Sequence, residues 1–206
     1  MNWEILYAFI ISTAVLAASP GPDNIYVLMQ SMVHGVKNGL ATVAGLMTGC
    51  LIHATLVAFG VSVLIKQIPI LFTVLKTVGA LYLLFLAYKA YGSSDDIRLE
   101  NGNLPQKTYK ALFVQGFFMN VLNPKVSIFF LAFFPGFLFS ETMNTVVQFY
   151  VLGGIFIVVS FVIFSSVALL AGKISGYLKA HKNTGRILKW LQIIVFVGIA
   201  ALLFFG

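Results

Sequence analysis

The chain has 206 residues, of which 60% are hydrophobic and only 9% charged, against about 25% charged in a soluble domain. So little polar surface cannot keep a folded chain in water, and the long, repeated apolar blocks define an all-α polytopic membrane protein. The net charge is +7, but the basic residues gather in a few loops without the aromatic interleaving of a nucleic-acid-binding surface, so no nucleic-acid partner is expected.

The first segment, about Trp3 to Met32, organises the rest. Thirty helical residues reach about 45 Å, enough to cross a bilayer core of about 30 Å. Its start, Asn2-Trp3-Glu4, lacks the basic segment of a signal peptide. Its middle holds Ser19-Pro20-Gly21-Pro22-Asp23-Asn24. Each proline removes a backbone donor and clashes with the preceding turn, and Gly21 between them adds freedom. The sequence therefore predicts a helix broken at Pro20, Gly21 and Pro22, with Asp23 and Asn24 at the break. Broken backbone at that depth survives only against protein or a water-filled cavity, and a carboxylate must face the same interior.

Segment 2 is expected at about Gly39 to Ile65, after a loop carrying His34 and Lys37. Gly45-Leu46-Met47-Thr48-Gly49 spaces small residues four apart, which permits close helix contact. The single cysteine, Cys50, excludes an intrachain disulfide and reads as a packed, inert thiol. His53 is a candidate proton relay by its titration range, or equally a neutral histidine satisfied by a neighbouring helix. Segment 3 is expected from Pro69, a favourable first-turn residue, to Tyr91.

The polar stretch 93–107 reads as a cytoplasmic linker between two halves, 1–92 and 108–206. Segment 4, about Thr108 to Phe139, is again broken, at Asn120-Val121-Leu122-Asn123-Pro124-Lys125. Pro124 is the breaker, while Asn120 and Asn123 either satisfy the freed backbone or bind a ligand. Gln115 is a weaker candidate for lining an entrance. Thr142 is the expected cap of segment 5, about Met143 to Ala171. A basic linker, Gly172 to Arg186, precedes segment 6, about Ile187 to Gly206.

The loops after segments 1, 3 and 5 hold Lys37, Arg98, Lys107, Lys110, Lys173, Lys179, Lys182 and Arg186. The positive-inside rule places them in the cytoplasm and both termini outside. The matching breaks in segments 1 and 4, each followed by two less interrupted segments, predict six transmembrane helices as a 3+3 inverted-topology repeat. Such folds bind substrate where the broken helices meet near the midplane. Asp23 and Lys125 occupy matching places. They either form a salt bridge that locks the halves, or serve an amino-acid-like substrate and a proton. No histidine or cysteine spacing supports a metal site, and there is no phosphate-cradling loop for ATP hydrolysis. The chain reads as a transporter rather than an enzyme, without a cofactor and driven by an ion gradient.

Ser19-Pro20-Gly21-Pro22-Asp23, Leu75-Lys76-Thr77-Val78-Gly79-Ala80-Leu81-Tyr82-Leu83 and Phe117-Phe118-Met119-Asn120-Val121-Leu122-Asn123-Pro124-Lys125 together resemble the lysine-exporter superfamily, specifically its homoserine/threonine-type amino-acid exporters. The resemblance covers essentially the whole chain. It implies a bacterial inner-membrane protein that exports amino acids or close derivatives by proton antiport. It also marks Pro20, Gly21, Pro22, Asp23, Asn120, Asn123, Pro124 and Lys125 as family-like residues. Phe134-Pro135-Gly136 departs from a common Pro-Gln-Phe pattern. Other readings are export of another small zwitterion, a passive channel, or a non-transporting assembly protein. Membrane lipid is the expected surroundings and a homodimer the candidate assembly.

Overall fold

The computed structural model describes residues 1–19, 21–61, 69–93, 106–180 and 184–205. Pro20, Lys66, Arg98, Lys182 and most of the 93–107 linker lie outside them. Among the described residues there is no strand. The helices are α1 (Trp3–Ala18), α2 (Pro22–His34), α3 (Val36–Leu56), α4 (Pro69–Tyr91), α5 (Tyr109–Val121), α6 (Pro124–Ile128), α7 (Thr145–Leu169), α8 (Ala171–Ala180) and α9 (Thr184–Phe205). A π turn, Val57–Val61, extends α3, while a π turn, Phe129–Phe133, and a 3₁₀ turn, Phe134–Phe137, extend α6.

Four helical stretches are long and apolar enough to cross a bilayer: Val36–Val61, Thr73–Tyr91, Thr145–Leu169 and Gly185–Phe204. The α1–α2 pair bends by 59° and the α5–α6 pair by 49°. Counting each bent pair as one span gives six. The protein is a multi-pass membrane protein, and its two bent helix pairs fall where the proline pattern predicts breaks.

The local chemistry explains each boundary. Asn2 caps α1 through Glu4 N and Ile5 N, and Thr108 caps α5 through Ala111 N. Pro22 and Pro124 each open the second half of a bent span, where a helix needs no N–H. Gly35 joins α2 to α3 at φ 92°, a left-handed conformation that favours glycine. Asn144, rather than Thr142, caps α7 by accepting from Val146 N. The reason is Gln148: its Oε1 accepts from Phe139 N and Ser140 N, and its Nε2 donates to Ser140 O and Met143 O. This side chain ties down the loop and moves the helix start beyond it. The expected basic linker is also partly helical, as α8, with Leu170 and Ala171 joining it closely to α7.

Packing places α3 at the centre, against α2, α5 and α7, while α4 pairs with α9 and the turns after α6. A Cβ on Gly45 would collide with Phe113 O, and one on Gly116 would collide with Thr42 O. The α3–α5 contact is thus backbone against backbone, as the small-residue spacing predicts. Outward side chains such as Leu81, Phe85, Val158 and Ile194 are exposed and apolar, as a lipid-facing surface requires. Gly45→Val is expected to lower stability by more than about 3 kcal/mol, beyond the usual overpacking cost, because backbone must move. Gly154→Ala, with nothing within 4 Å of the new Cβ, is expected to leave the melting temperature of the detergent-purified protein unchanged.

Candidate functional site

A break inside a membrane leaves carbonyls at the end of one half-helix and N–H groups at the start of the next. In the first break, the carbonyls belong to the end of α1. Lys125 Nζ donates to Leu16 O and Ser19 O, each at 3.4 Å, and Asn24 Nδ2 donates to Ala17 O at 2.8 Å. In the second break, Asn123 N donates to Asn120 O at 3.0 Å, and His53 Nε2 lies 3.2 Å from the same oxygen. Each break is therefore stitched by polar groups, one of them from the opposite half of the chain.

Asn123 joins the two breaks directly. Its Nδ2 donates to Asp23 Oδ2 at 2.8 Å, and its Oδ1 accepts from Lys125 N at 3.0 Å, capping α6. Asp23 is 7% exposed, so this amide is a large part of its compensation. The Lys125 ammonium turns to the α1 carbonyls and lies 5.3 Å from the centre of the Phe196 ring. The contact expected between Asp23 and Lys125 is thus organised through Asn123. By contrast, the start of α2 has no side-chain cap: Gly21 precedes Pro22 and offers none.

These groups surround a cavity of ≈ 40 Å³. Asp23, Asn24, Asn120, Asn123 and Lys125 line it, as do Gly21 and Pro22 of the first break. A single water needs about 10–15 Å³ by this measure, so the space suits a few waters. Pro124 is exposed, outside the cavity, and acts as the first residue of α6. His53 is also outside the lining; it stacks on Phe130 at 5.4 Å and holds the end of α5.

The rest of the lining was less legible in the sequence. Phe156, Ser160 and Phe164 of α7 line the cavity, as do Met47 and Cys50 of α3. Spacing of four puts the α7 residues on one helix face, but that pattern in an apolar run looks like ordinary core. Glycine provides the room on α3: a Cβ on Gly49 would approach Asn120 Cβ to 2.8 Å.

Seals stand on both sides. Phe9 of α1 packs edge-on against Phe134 and Phe137, at 4.9 and 5.3 Å, and Phe130 meets Phe134 and Phe156 at 4.1 and 4.8 Å. Toward the other end, Tyr26 Oη donates to Gln115 Oε1 at 2.7 Å, and Lys107 Nζ donates to the same oxygen at 2.6 Å. Gln115 therefore links α2 to α5. Among the described residues there is no cluster of histidine, cysteine and carboxylate groups that would hold a metal.

Two bent helix pairs that meet at a cavity lined by Asp23, Lys125 and three asparagines, within a multi-pass helical bundle, point to the transporter class. Residues 14–206 match the model of the LysE-type translocator family, and the chain belongs to that family. The homoserine/homoserine lactone efflux protein of Salmonella typhimurium is 32% identical over 183 residues, covering 89% of this chain and 88% of that one. The protein of the same name from Salmonella typhi has the same identity and coverage. No solved structure matches the chain.

Cys50 is fully buried and is the one cysteine in the sequence, so it reports on the cavity without engineering. In native membranes its labelling by a membrane-permeant maleimide is expected to be at least about tenfold slower than after denaturation, because access limits thiolate reaction. Asn123→Ala, which removes the tie between the breaks, is expected to raise the rate in folded protein. An equal rate in both proteins would contradict that tie.

Proposed function

We propose that this chain is a secondary exporter of amino acids or close derivatives across the bacterial cytoplasmic membrane, driven by inward proton flow. The observation that carries this reading is a carboxylate and an ammonium lining one cavity where the two helix breaks meet. Family membership and the efflux proteins of Salmonella support the direction and the amino-acid class.

An amino acid brings both charges, and each has a counterpart here. Asp23 compensates the substrate ammonium group. Lys125 and the uncapped start of α2 compensate the substrate carboxylate. A proton and an ammonium group compete for one carboxylate, so Asp23 carries one or the other. That competition is antiport in its simplest form. Asn123 holds Asp23 in place through the exchange, since Asp23 Oδ2 can accept from its amide whether the other oxygen carries a proton or meets the ammonium group. His53 acts as a holder of the α5 end rather than as a proton carrier in this scheme. Each elementary charge moved across the membrane is worth about 2.3 kcal/mol per 100 mV. The ≈ 40 Å³ cavity corresponds to a closed stage. Loading then requires either the phenylalanine seal or the Tyr26–Gln115 link to part.

The alternation follows from two inverted halves, 1–92 and 108–206. Two features support that arrangement. Both second half-helices begin with proline followed by a charge, Pro22-Asp23 and Pro124-Lys125. The pairs that the repeat makes equivalent, α3 with α7 and α4 with α9, pack on each other as elements beside a two-fold axis do.

In inverted vesicles, wild-type protein is expected to accumulate an amino acid from a panel only while a proton gradient is maintained. Asp23→Asn is expected to abolish that response with membrane insertion intact. Unchanged gradient-driven accumulation by Asp23→Asn would remove the proton role. With both termini outside, an alkaline phosphatase fusion at the C-terminus is expected to be active. An inactive fusion at normal expression would reverse the orientation.

A further inference from the structure

Hydroxyls in this bundle behave in two ways: several bond their own helix, whereas Thr13, Ser19, Ser31, Ser160 and Ser165 carry buried oxygens with no partner, and of these five only Ser160 lines the central cavity. Thr48, Thr77 and Ser166 each donate to the carbonyl four residues earlier, at 2.8, 2.9 and 2.8 Å. That is the usual way for a helical hydroxyl to satisfy itself in an apolar setting. Ser160 is 1% exposed, and its Oγ has no partner. It also lines the central cavity, midway between Phe156 and Phe164 on the α7 face. Buried polar atoms without partners are few in native proteins and call for a physical explanation.

Two nearby residues also have an oxygen without a partner. Ser19 Oγ sits within the first break, outside the cavity lining, whereas Asn120 lines the same cavity with its Oδ1 close to Gly49. Ser160 carries the one hydroxyl among the lining residues, and its neighbours on the α7 face, Phe156 and Phe164, are aromatic. Asp23 and Lys125 line the same cavity.

We infer that Ser160 is a specificity-determining residue, the contact for a hydrogen-bonding side chain on the exported amino acid. The inference rests on the amino-acid exporter reading above. A hydroxyl on the substrate both donates and accepts, so it pairs with Ser160 Oγ whichever way that group turns. Phe156 and Phe164 enclose the methylene carbons beside it. An alkyl side chain of the same shape fills the space and leaves Ser160 unpaired. Sites built to bond a substrate hydroxyl discriminate against the analogue lacking it more strongly than apolar pockets discriminate by size.

The test is counterflow in proteoliposomes with homoserine and its methyl isostere norvaline. Wild-type protein is expected to prefer homoserine in kcat/KM. Ser160→Ala is expected to lower the homoserine-to-norvaline ratio by about tenfold or more, the order expected for loss of a polar contact in a built site. Ser160→Thr retains the hydroxyl and is expected to retain the preference. A ratio unchanged by Ser160→Ala, or no preference in wild type, overturns the role of Ser160. So does a ratio that falls equally in Ser160→Ala and Ser160→Thr, which would mark a packing effect. Absence of counterflow with every amino acid of a broad panel overturns the exporter reading itself, and this assignment with it.

Discussion

Backbone polarity in hydrocarbon is the constraint on which this architecture depends. A membrane span normally hides its N–H and C=O groups within its own helix. Here two spans are interrupted by proline, and the carbonyls released at Leu16, Ala17, Ser19 and Asn120 must bond elsewhere. They draw in Lys125, Asn24 and His53, and those side chains draw in the neighbouring helices. The polar centre is therefore the condition under which the breaks can exist, as well as the place where they meet.

The same constraint accounts for the helix packing around it. The Asn123–Asp23 hydrogen bond brings the starts of α2 and α6 together. Beside them α3 approaches α5 closely, and glycines at 45, 49 and 116 permit it. The phenylalanines of the turns after α6 then fill the volume on one side, against Phe9 and Phe156. Their contacts are apolar and lack fixed hydrogen bonds, a surface that can slide or part at modest cost. The Tyr26–Gln115–Lys107 cluster closes the other side with only a few polar bonds.

The breaks were legible in the sequence because proline, glycine and charge are each costly in an apolar span. Their joint occurrence at Pro22-Asp23 and Pro124-Lys125 admits few explanations. The lining residues of the two breaks followed directly. Ser160 and the phenylalanines beside it were not legible, since a serine within an apolar helix usually bonds its own backbone. Only the side-chain geometry shows that this one does not. Asn144 displaced Thr142 as the α7 cap through Gln148, a contact between a helix and its own preceding loop that spacing does not encode. The role of Asn123 as the joint between the breaks also depends on tertiary placement. Sequence alone left Asp23 and Lys125 as either a locking salt bridge or a pair serving a substrate and a proton.

The most direct measurement is an electron cryomicroscopy structure of the protein in lipid nanodiscs with a transported amino acid bound. The account predicts substrate density between Asp23 and Lys125, its ammonium group toward Asp23 and its carboxylate toward Lys125 and the start of α2. Substrate density away from both breaks, or Asp23 and Lys125 lying in separate parts of the bundle, would contradict it.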